Sequence, residues 1–280
     1  MKTKKTLSYP LRFTLVNGIL CLFSLSCLFP VIWMIYSSFK TSAEFSQNIL
    51  SLPQRLNLEH YRFLLTYDNL RYFFLNSTRN TVCSIVCIIL FSFLLGYFLA
   101  RFRFRGATLL NLLFVVGMLV PVHALLVPMY IQFKQFGLSN RWFTIILTNV
   151  AFGLPTAMFL VKSYIAGIPT EMEYAAAIDG AGFSRTMFGI IMPMTRPILT
   201  TVGIINFFSC WNEFIFSLIL INDVKLYPLS VGINLLKGEW TVDYTRIMTL
   251  MTVAIAPAML LYFCFSRYII DGMVAGAVKG

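Results

Sequence analysis

Six long runs of apolar residues limit what this chain can fold into, because each is long enough to cross a lipid bilayer. A helix needs about 20 apolar residues to cross the hydrocarbon core. We predict six transmembrane helices, over residues 13–39, 76–100, 109–131, 142–166, 198–221 and 247–268. The composition agrees, since only 12% of the residues are charged, against about 25% in a soluble domain. The sequence therefore predicts an all-α polytopic membrane protein.

The basic residues predict the orientation of the chain. Four of them precede the first run: Lys2, Lys4, Lys5 and Arg12. Because positive residues favour the cytoplasmic side, we expect both termini there, together with the short loop that carries Arg101, Arg103 and Arg105. The first run exceeds the ~7–15 apolar residues of a signal peptide. We therefore expect an uncleaved first span and a multi-pass protein of the cytoplasmic (inner or plasma) membrane.

Several classes of function lack their sequence signals. The net charge is +11, but the arginines lie at the ends of apolar runs, where lipid head groups and topology explain them, so we expect no nucleic-acid binding. All six cysteines lie inside apolar runs, and we expect neither disulfides nor a metal site; Cys83 and Cys87 are interpreted as buried hydrophobes. No phosphate-binding Gly-x-x-x-x-Gly-Lys-Ser/Thr occurs. We predict no catalytic residues and an energy source on a partner.

Residues 169–197 form a polar connection between the fourth and fifth runs, here called the 169–197 loop. Thr170 and Glu173 have the spacing of a capping box, which predicts a helix beginning at Glu171. Gly180 can close that helix in a left-handed conformation. A second short helix is predicted over residues 183–191, ended by Pro193. Two short helices between two spans are typical of a docking element.

The 169–197 loop resembles the EAA loop of ABC importer permeases. Its residues in register with that pattern are Ala175, Ala176, Gly180, Ile190 and Pro193, with Met192 in the Leu place. The Glu of the pattern is replaced by Tyr174, with Glu173 one residue earlier. Residues 178–181 are similar to the form found in carbohydrate importers. The last nine residues, 272–280, resemble the tail of the second permease subunit in maltose-type importers, and Ala100–Phe102, Pro121, Pro128 and Trp211–Asn212 extend the likeness along the chain.

This resemblance implies the six-helix type I ABC importer permease fold with a cytoplasmic coupling helix. Residues 1–75 would then hold the N-terminal tail, first span and outer loop; residues 76–268, the transmembrane domain with the coupling loop at 169–197; and residues 269–280, a cytoplasmic tail. The partners it implies are a second homologous permease, two ATPase subunits, an extracytoplasmic sugar-binding protein and membrane lipid. ATP and Mg would bind to the ATPases, and no cofactor to this chain.

The resemblance also implies which residues dock the ATPase. These are Glu173, Tyr174, Ala175, Ala176, Asp179, Gly180, Phe183, Met187 and Phe188. The two alanines would allow close backbone approach, and the aromatic and methionine side chains would anchor the loop in a cleft. The alternative is a helix on the lipid surface, but the loop lacks the Lys/Arg-rich polar face expected there.

Polar residues inside the spans are candidates for the translocation path: His123, Asn149, Asn206, Trp211, Asn212 and Glu213. Each has a second interpretation. The asparagines can bond helix to helix, Trp211 can lie at the membrane interface, His123 can pack in the core, and Glu213 can snorkel to the interface. Outside the spans, residues 56–65 predict a short amphipathic helix, and His60 is expected to be solvated or interfacial.

We interpret the chain as a permease subunit that imports a carbohydrate, of oligosaccharide size, by alternating access. One alternative is an ABC importer permease for another solute, such as glycerol phosphate or a polyol. An ion-coupled carrier is a second alternative, but the buried Asp/Glu/His relays or repeated halves that it needs are not evident. A non-transporting membrane scaffold is a third, and it leaves the EAA-like loop unexplained.

Overall fold

A computed structural model describes the backbone of residues 9–239 and 243–277, and the side chains of residues 13–235 and 243–265. The regular structure in these ranges is helical. The α-helices are α1 Tyr9–Ser37, α2 Ser42–Gln47, α3 Glu59–Thr66, α4 Asp68–Arg101, α5 Ala107–Leu119, α6 Leu126–Gln135, α7 Thr144–Ala166, α8 Glu171–Ile178, α9 Phe183–Thr186, α10 Met192–Met194, α11 Arg196–Trp211, α12 Ile215–Leu220, α13 Leu229–Glu239 and α14 Tyr244–Ala277. Two 3₁₀ turns, Val122–Leu125 and Val224–Leu226, and a π turn, Met187–Ile191, complete the set.

Among the described residues, 4 helices are long and apolar enough to cross a membrane, and up to 6 spans result if two bent helix pairs each count as one. The long helices are α1, α4, α7 and α14. One bent pair joins α5 to the segment Val122–Gln135 at 95°, and the other joins Phe183–Met194 to α11 at 69°. The predicted polytopic helical architecture is confirmed.

The third and fifth apolar runs are not the continuous helices that we expected. The third run breaks at Val120 and Pro121, both of which have extended backbone angles, because proline lacks an N–H and disfavours helix at the residue before it. The fifth run breaks after Trp211 and resumes as α12 at Ile215. Both spans therefore contain backbone groups that the helix itself does not satisfy.

The chain divides into two compact units, of which the first comprises residues 1–66 and 235–256. Helix α1 exposes its apolar side chains from Phe13 to Pro30, including Cys21 and Cys27. After α1 the chain is held by Lys40, which is fully buried and donates from Nζ to the carbonyl oxygens of Asn48, at 3.1 Å, and Ile49, at 2.9 Å. Burial lowers the pKa of Lys40, against the opposing effect of Glu44. These bonds fix the turn after α2.

His60 corrects one expectation. It lies in α3, which occupies most of the segment predicted as an amphipathic helix, but it is buried, with 6% of its surface exposed. Its Nε2 lies 3.0 Å from the hydroxyl of Thr245, and that hydroxyl donates to Asp243 at 2.8 Å. Burial alone would raise the pKa of Asp243, but hydrogen bonds from Thr245 and the Arg246 N–H lower it overall. His60 is thus a packed residue and not a solvated one.

The second unit comprises residues 67–234 and 257–280. Its core lies where α4, α7 and α11 pack together, around side chains such as Ile88, Val161 and Val202, which are fully buried. Gly96 permits this packing: a Cβ there would lie 3.0 Å from the backbone nitrogen of Lys162. Cys83 and Cys87 are half-buried and not fully buried as expected, because they lie at the edge of this core.

Several elements differ in length from their predicted runs. Helix α4 begins eight residues before the predicted 76–100 run, because Asp68, Asn69 and Arg71 interrupt the apolar pattern without ending the helix. Helix α14 continues to Ala277 through most of the predicted 269–280 tail. The polar connection at residues 222–246 contains α13, and of its residues 240–244 only Asp243 and Tyr244 are described.

Candidate functional site

The 169–197 loop has the predicted two-helix form. Helix α8 begins at Glu171, as predicted, and Gly180 follows its end with φ of 78°, the left-handed value that the sequence predicted. The second helix is longer than expected: α9 passes through a π turn into α10, and the bend comes at Thr195 instead of Pro193. Pro193 lies near the end of this continuous helix, two residues before the bend and directly after the π turn with its altered hydrogen-bond pattern.

The predicted capping box is wrong. Thr170 has helical backbone angles, and its side chain accepts no hydrogen bond from the first turn of α8. The Glu173 carboxylate is instead bound by residues at the end of α4: Arg101 Nε lies 2.6 Å from one oxygen, and the Tyr97 hydroxyl donates to the other at 3.2 Å. A buried cation is a stronger partner for a carboxylate than a backbone N–H. We call Tyr97, Arg101 and Glu173 the clasp.

Arg101 ties the clasp to the start of the loop as well. Its second terminal nitrogen donates to the carbonyl oxygen of Ile168 at 2.8 Å. The side chain of Arg101 is 8% exposed and that of Glu173 is 20% exposed. The Glu173 side chain, which was expected to contact the ATPase, therefore forms its hydrogen bonds with residues of this chain.

The outer face of α8 is exposed and apolar. Tyr174 and Ile178 have 68% and 87% of their surface exposed, and Ala175 lies exposed beside them. Positions four residues apart lie on the same side of a helix, so these residues form one stripe. Ile178 was missed as a docking candidate, although its i+4 spacing from Tyr174 was visible in the sequence.

The other predicted docking residues differ in accessibility. Asp179 and Gly180 are exposed at the end of α8. Phe183 is 49% exposed, while its ring lies 6.1 Å from those of Tyr97, Phe98 and Phe102. Phe188 is 43% exposed and 6.1 Å from Phe93.

Two predicted contacts need correction. Ala176 and Met187 are buried inside the chain, and Met187 belongs to the core cluster that contains Tyr97 and Val161. They can position the helices that carry the exposed residues, but they cannot themselves touch a partner in this conformation.

Most of the predicted path residues come together around two neighbouring cavities in the second unit. A cavity of about 270 Å³ is lined by Asn149, Asn206 and Glu213, among others. A second, of about 380 Å³, is lined by His123, Asn212 and Glu213. Residues Val122, Glu213 and Phe216 border both. The helix breaks at Pro121 and after Trp211 therefore lie beside these cavities.

Trp211 is the exception among the predicted path residues. It lines neither cavity, is 8% exposed, and stacks on Phe207 with ring centroids 5.7 Å apart. Its ring is therefore packed against other side chains of this chain in the described conformation. Sequence reasoning also missed two hydroxyl residues of the 270 Å³ cavity, Thr156 and Ser209, because which face of α7 and α11 meets the cavity depends on how the helices are rotated in the bundle.

Glu213 has a local structural role in addition to its position between the cavities. Its carboxylate accepts from the backbone N–H of Phe216 at 2.7 Å and of Ser217 at 3.1 Å, and from the Ser217 hydroxyl. These are the free amides of the first turn of α12, which restarts the broken span. The carboxylate therefore satisfies a helix end inside an apolar segment, where a buried polar group without a partner costs about 1–3 kcal/mol by protein mutational data. It is not a snorkelling residue.

The two asparagines that line the 270 Å³ cavity already form hydrogen bonds within the chain. Asn149 donates to the Ser84 hydroxyl at 3.3 Å, and Asn206 donates to the carbonyl oxygen of Val202, one turn earlier, at 2.9 Å. Gly153 allows the Asn206 side chain to lie against α7, since a Cβ there would overlap its amide oxygen. Asn149 thus links α7 to α4, as the helix-bonding interpretation predicts, while both side chains still border the cavity.

Comparison with known proteins identifies relatives along the whole chain. The family described as the binding-protein-dependent transport system inner membrane component matches residues 73–275. The diacetylchitobiose uptake system permease protein NgcG of Streptomyces coelicolor is 33% identical over 271 residues, covering 96% of this chain and 90% of its own. The multiple sugar-binding transport system permease protein MsmG of Streptococcus mutans is 31% identical over 285 residues, covering 100% of both chains.

A solved structure has the same fold. One chain in the crystal structure of a bacterial ABC transporter involved in the import of the acidic polysaccharide alginate superposes with a TM-score of 0.82 and 22% identity. The match covers 95% of this chain and 99% of that one. The predicted fold of an ABC importer permease is thereby confirmed.

Proposed function

Because the chain belongs to the family of binding-protein-dependent transport system inner membrane components, we propose that it is the permease subunit of an ABC importer that carries a carbohydrate by alternating access. The observation that carries this proposal is the combination of a cavity between the spans, lined by amide, hydroxyl and apolar side chains, and an exposed apolar stripe on α8 in the 169–197 loop. A solute path and a docking surface are the two parts that a permease without its own ATPase needs.

The lining of the cavities supports a carbohydrate as the solute. Amide and hydroxyl side chains (Asn149, Asn206, Thr156 and Ser209) alternate there with apolar ones, which suits a ring with hydroxyl groups on apolar faces. A solute with a phosphate would bring a second negative charge beside Glu213. Among the described residues that line the two cavities, none is a lysine or arginine that could compensate for it. Relatives named for diacetylchitobiose and for multiple sugars point the same way.

The energy for transport comes, in this proposal, from two partner ATPase subunits that bind ATP and Mg. The sequence has no phosphate-binding loop of its own. The stripe of Tyr174, Ala175 and Ile178 would dock on the ATPase, with Phe183 and Phe188 beside it. Burying an exposed side chain of this size stabilises a complex by roughly 1.5–3 kcal/mol. Such a contact is firm and still reversible.

The remaining partners complete the transport cycle. A second homologous permease would cover the apolar surface that α1 exposes, and an extracytoplasmic binding protein would deliver the sugar. With both termini in the cytoplasm, the 169–197 loop would face the ATPases. Closure of the ATPases on ATP would then draw α8 inward, and the spans would change from inward-facing to outward-facing around the cavities.

Co-purification and uptake test the proposal. The chain is expressed together with a candidate ATPase, second permease and binding protein from the same organism, purified, and reconstituted into liposomes loaded with ATP and Mg. We expect the ATPase to co-purify and labelled neutral oligosaccharides to enter only with ATP. Uptake without ATP, or with an ion gradient alone, would support the carrier alternative; no uptake under either condition would support a scaffold.

A pair of variants tests the docking surface. Ile178→Asp should weaken ATPase co-purification about tenfold or more, because a charge replaces an apolar contact. Leu65→Asp is the matched control: Leu65 is also 87% exposed, but it lies on α3 outside the loop, and its substitution should leave co-purification unchanged. Equal loss in both variants, or in neither, would contradict docking through this stripe.

A further inference from the structure

We propose that the clasp of Tyr97, Arg101 and Glu173 is a transmission joint, which makes α8 and α4 move as one piece. The proposal rests on the proposed function, since it requires an ATPase that pulls on α8. Glu173 is then a positioning residue inside the chain, and Tyr174 and Ile178 carry the contact with the partner.

The geometry of the clasp favours a rigid joint over a surface ion pair. Arg101 binds at two points. It contacts the first turn of α8 through Glu173, and it contacts Ile168, the residue just before the loop, through the carbonyl oxygen of that residue. Both carboxylate oxygens of Glu173 are engaged, one by Arg101 and one by Tyr97. Three bonds from two side chains on successive turns of α4 leave α8 little freedom to rotate or slide against that helix.

Helix α4 can carry a displacement away from the clasp. It has 34 residues and contains no proline, whereas α1, α7 and α14 each have a proline in their interior. At 1.5 Å per residue, the distance from Arg101 to Asn76 is about 38 Å. Between them, Ile88 and Phe93 are fully buried in the core, so α4 cannot bend there without disturbing packed side chains.

The far end of α4 is attached to another loop. Asn76 donates to the carbonyl oxygens of Lys225, at 2.7 Å, and Tyr227, at 3.1 Å. The Ser77 hydroxyl accepts from the backbone N–H of Leu229 at 2.8 Å. These contacts hold the segment that leads into α13. Helix α4 therefore contacts the 169–197 loop at its C-terminal end and residues 225–229 near its N-terminal end.

Hydrogen–deuterium exchange on the full-length chain in detergent, without any partner, tests the joint directly. In Glu173→Gln, the amides of α8 should exchange about tenfold faster or more, because a charged hydrogen bond is lost. Glu171→Gln is the matched control, since Glu171 lies in the same turn and is exposed; it should not change exchange. If Glu173 served only as a contact with a partner, neither variant would alter the isolated chain.

The assembled transporter gives the second measurement. Because Glu173→Gln leaves Arg101 buried without its charge partner, the double variant Arg101→Met/Glu173→Met, which removes both charges, guards against simple misfolding. We expect the double variant to retain the ATPase and hydrolyse ATP while sugar uptake per ATP falls about tenfold. The charge exchange Arg101→Glu/Glu173→Arg should recover part of that ratio.

The outcomes separate this inference from the proposed function. If the wild-type chain retains no ATPase, the proposed function fails. If the wild type is coupled and the double variant imports as much sugar per ATP, the joint is refuted and Glu173 is dispensable. If the double variant loses the ATPase altogether, the joint is also refuted, and Glu173 is a docking contact.

Discussion

Glu173, in the 169–197 loop, and Glu213, inside the broken fifth span, are both carboxylates with several hydrogen bonds, yet they are held in different ways. Glu173 is bound by side chains 72 and 76 residues earlier in the sequence, on another helix. Glu213 is bound by the backbone of the residues three and four positions later, on the helix that it starts. The first carboxylate therefore joins two elements, whereas the second completes one. The comparison shows that one residue type links two helices at one place in this chain and caps the start of a helix in a broken span at another.

The largest effect is expected at the side of the clasp that carries the cation. Arg101→Ala should destabilise the chain by about 3 kcal/mol, because it leaves Glu173 half-buried without a counter-charge. Arg103→Ala, two residues on and exposed, should have an effect close to zero. Denaturation of the two variants in detergent micelles measures the difference. Similar stabilities would show that the clasp is a surface pair of little consequence.

A smaller and more local effect is expected at Glu213. Glu213→Ala should cost about 1–2 kcal/mol, the value of a lost helix cap, and should speed amide exchange at Phe216 and Ser217 without changing α4. Glu213→Gln keeps an acceptor oxygen and should recover much of the loss. If instead Glu213→Ala is as stable as the wild type but does not transport, the carboxylate acts on the solute and not as a cap.

The smallest effect is expected at Tyr97. Tyr97→Phe removes one hydrogen bond to Glu173, worth about 1 kcal/mol, and keeps the ring against Phe93 and Phe183. Combined with Arg101→Ala, it should add less than it costs alone, because the remaining carboxylate is already loose. A double-mutant cycle from denaturation data measures this coupling. Strict additivity would mean that the two side chains hold Glu173 independently.

The predictions succeeded where local chemistry decides the outcome. The start of α8 at Glu171 and the left-handed Gly180 follow from helix propensity and from the lack of a Cβ. The cap of α8 was predicted wrongly because Thr170 and Glu173 satisfy a local rule that a distant arginine overrides. His60 was misplaced for the same reason: its partner, Thr245, is 185 residues away.

The sequence by itself determined that this chain lies in a membrane as helices, and that residues 169–197 carry a two-helix element, because length and apolar content control both. Only the tertiary structure decided which polar side chains meet. Three features depend on how neighbouring helices are rotated and bent. They are the ion pair of Arg101 and Glu173, the cavity lined by Asn149, Asn206 and Glu213, and the burial of Trp211. Packing in three dimensions sets those angles, and a linear pattern of residues does not contain them.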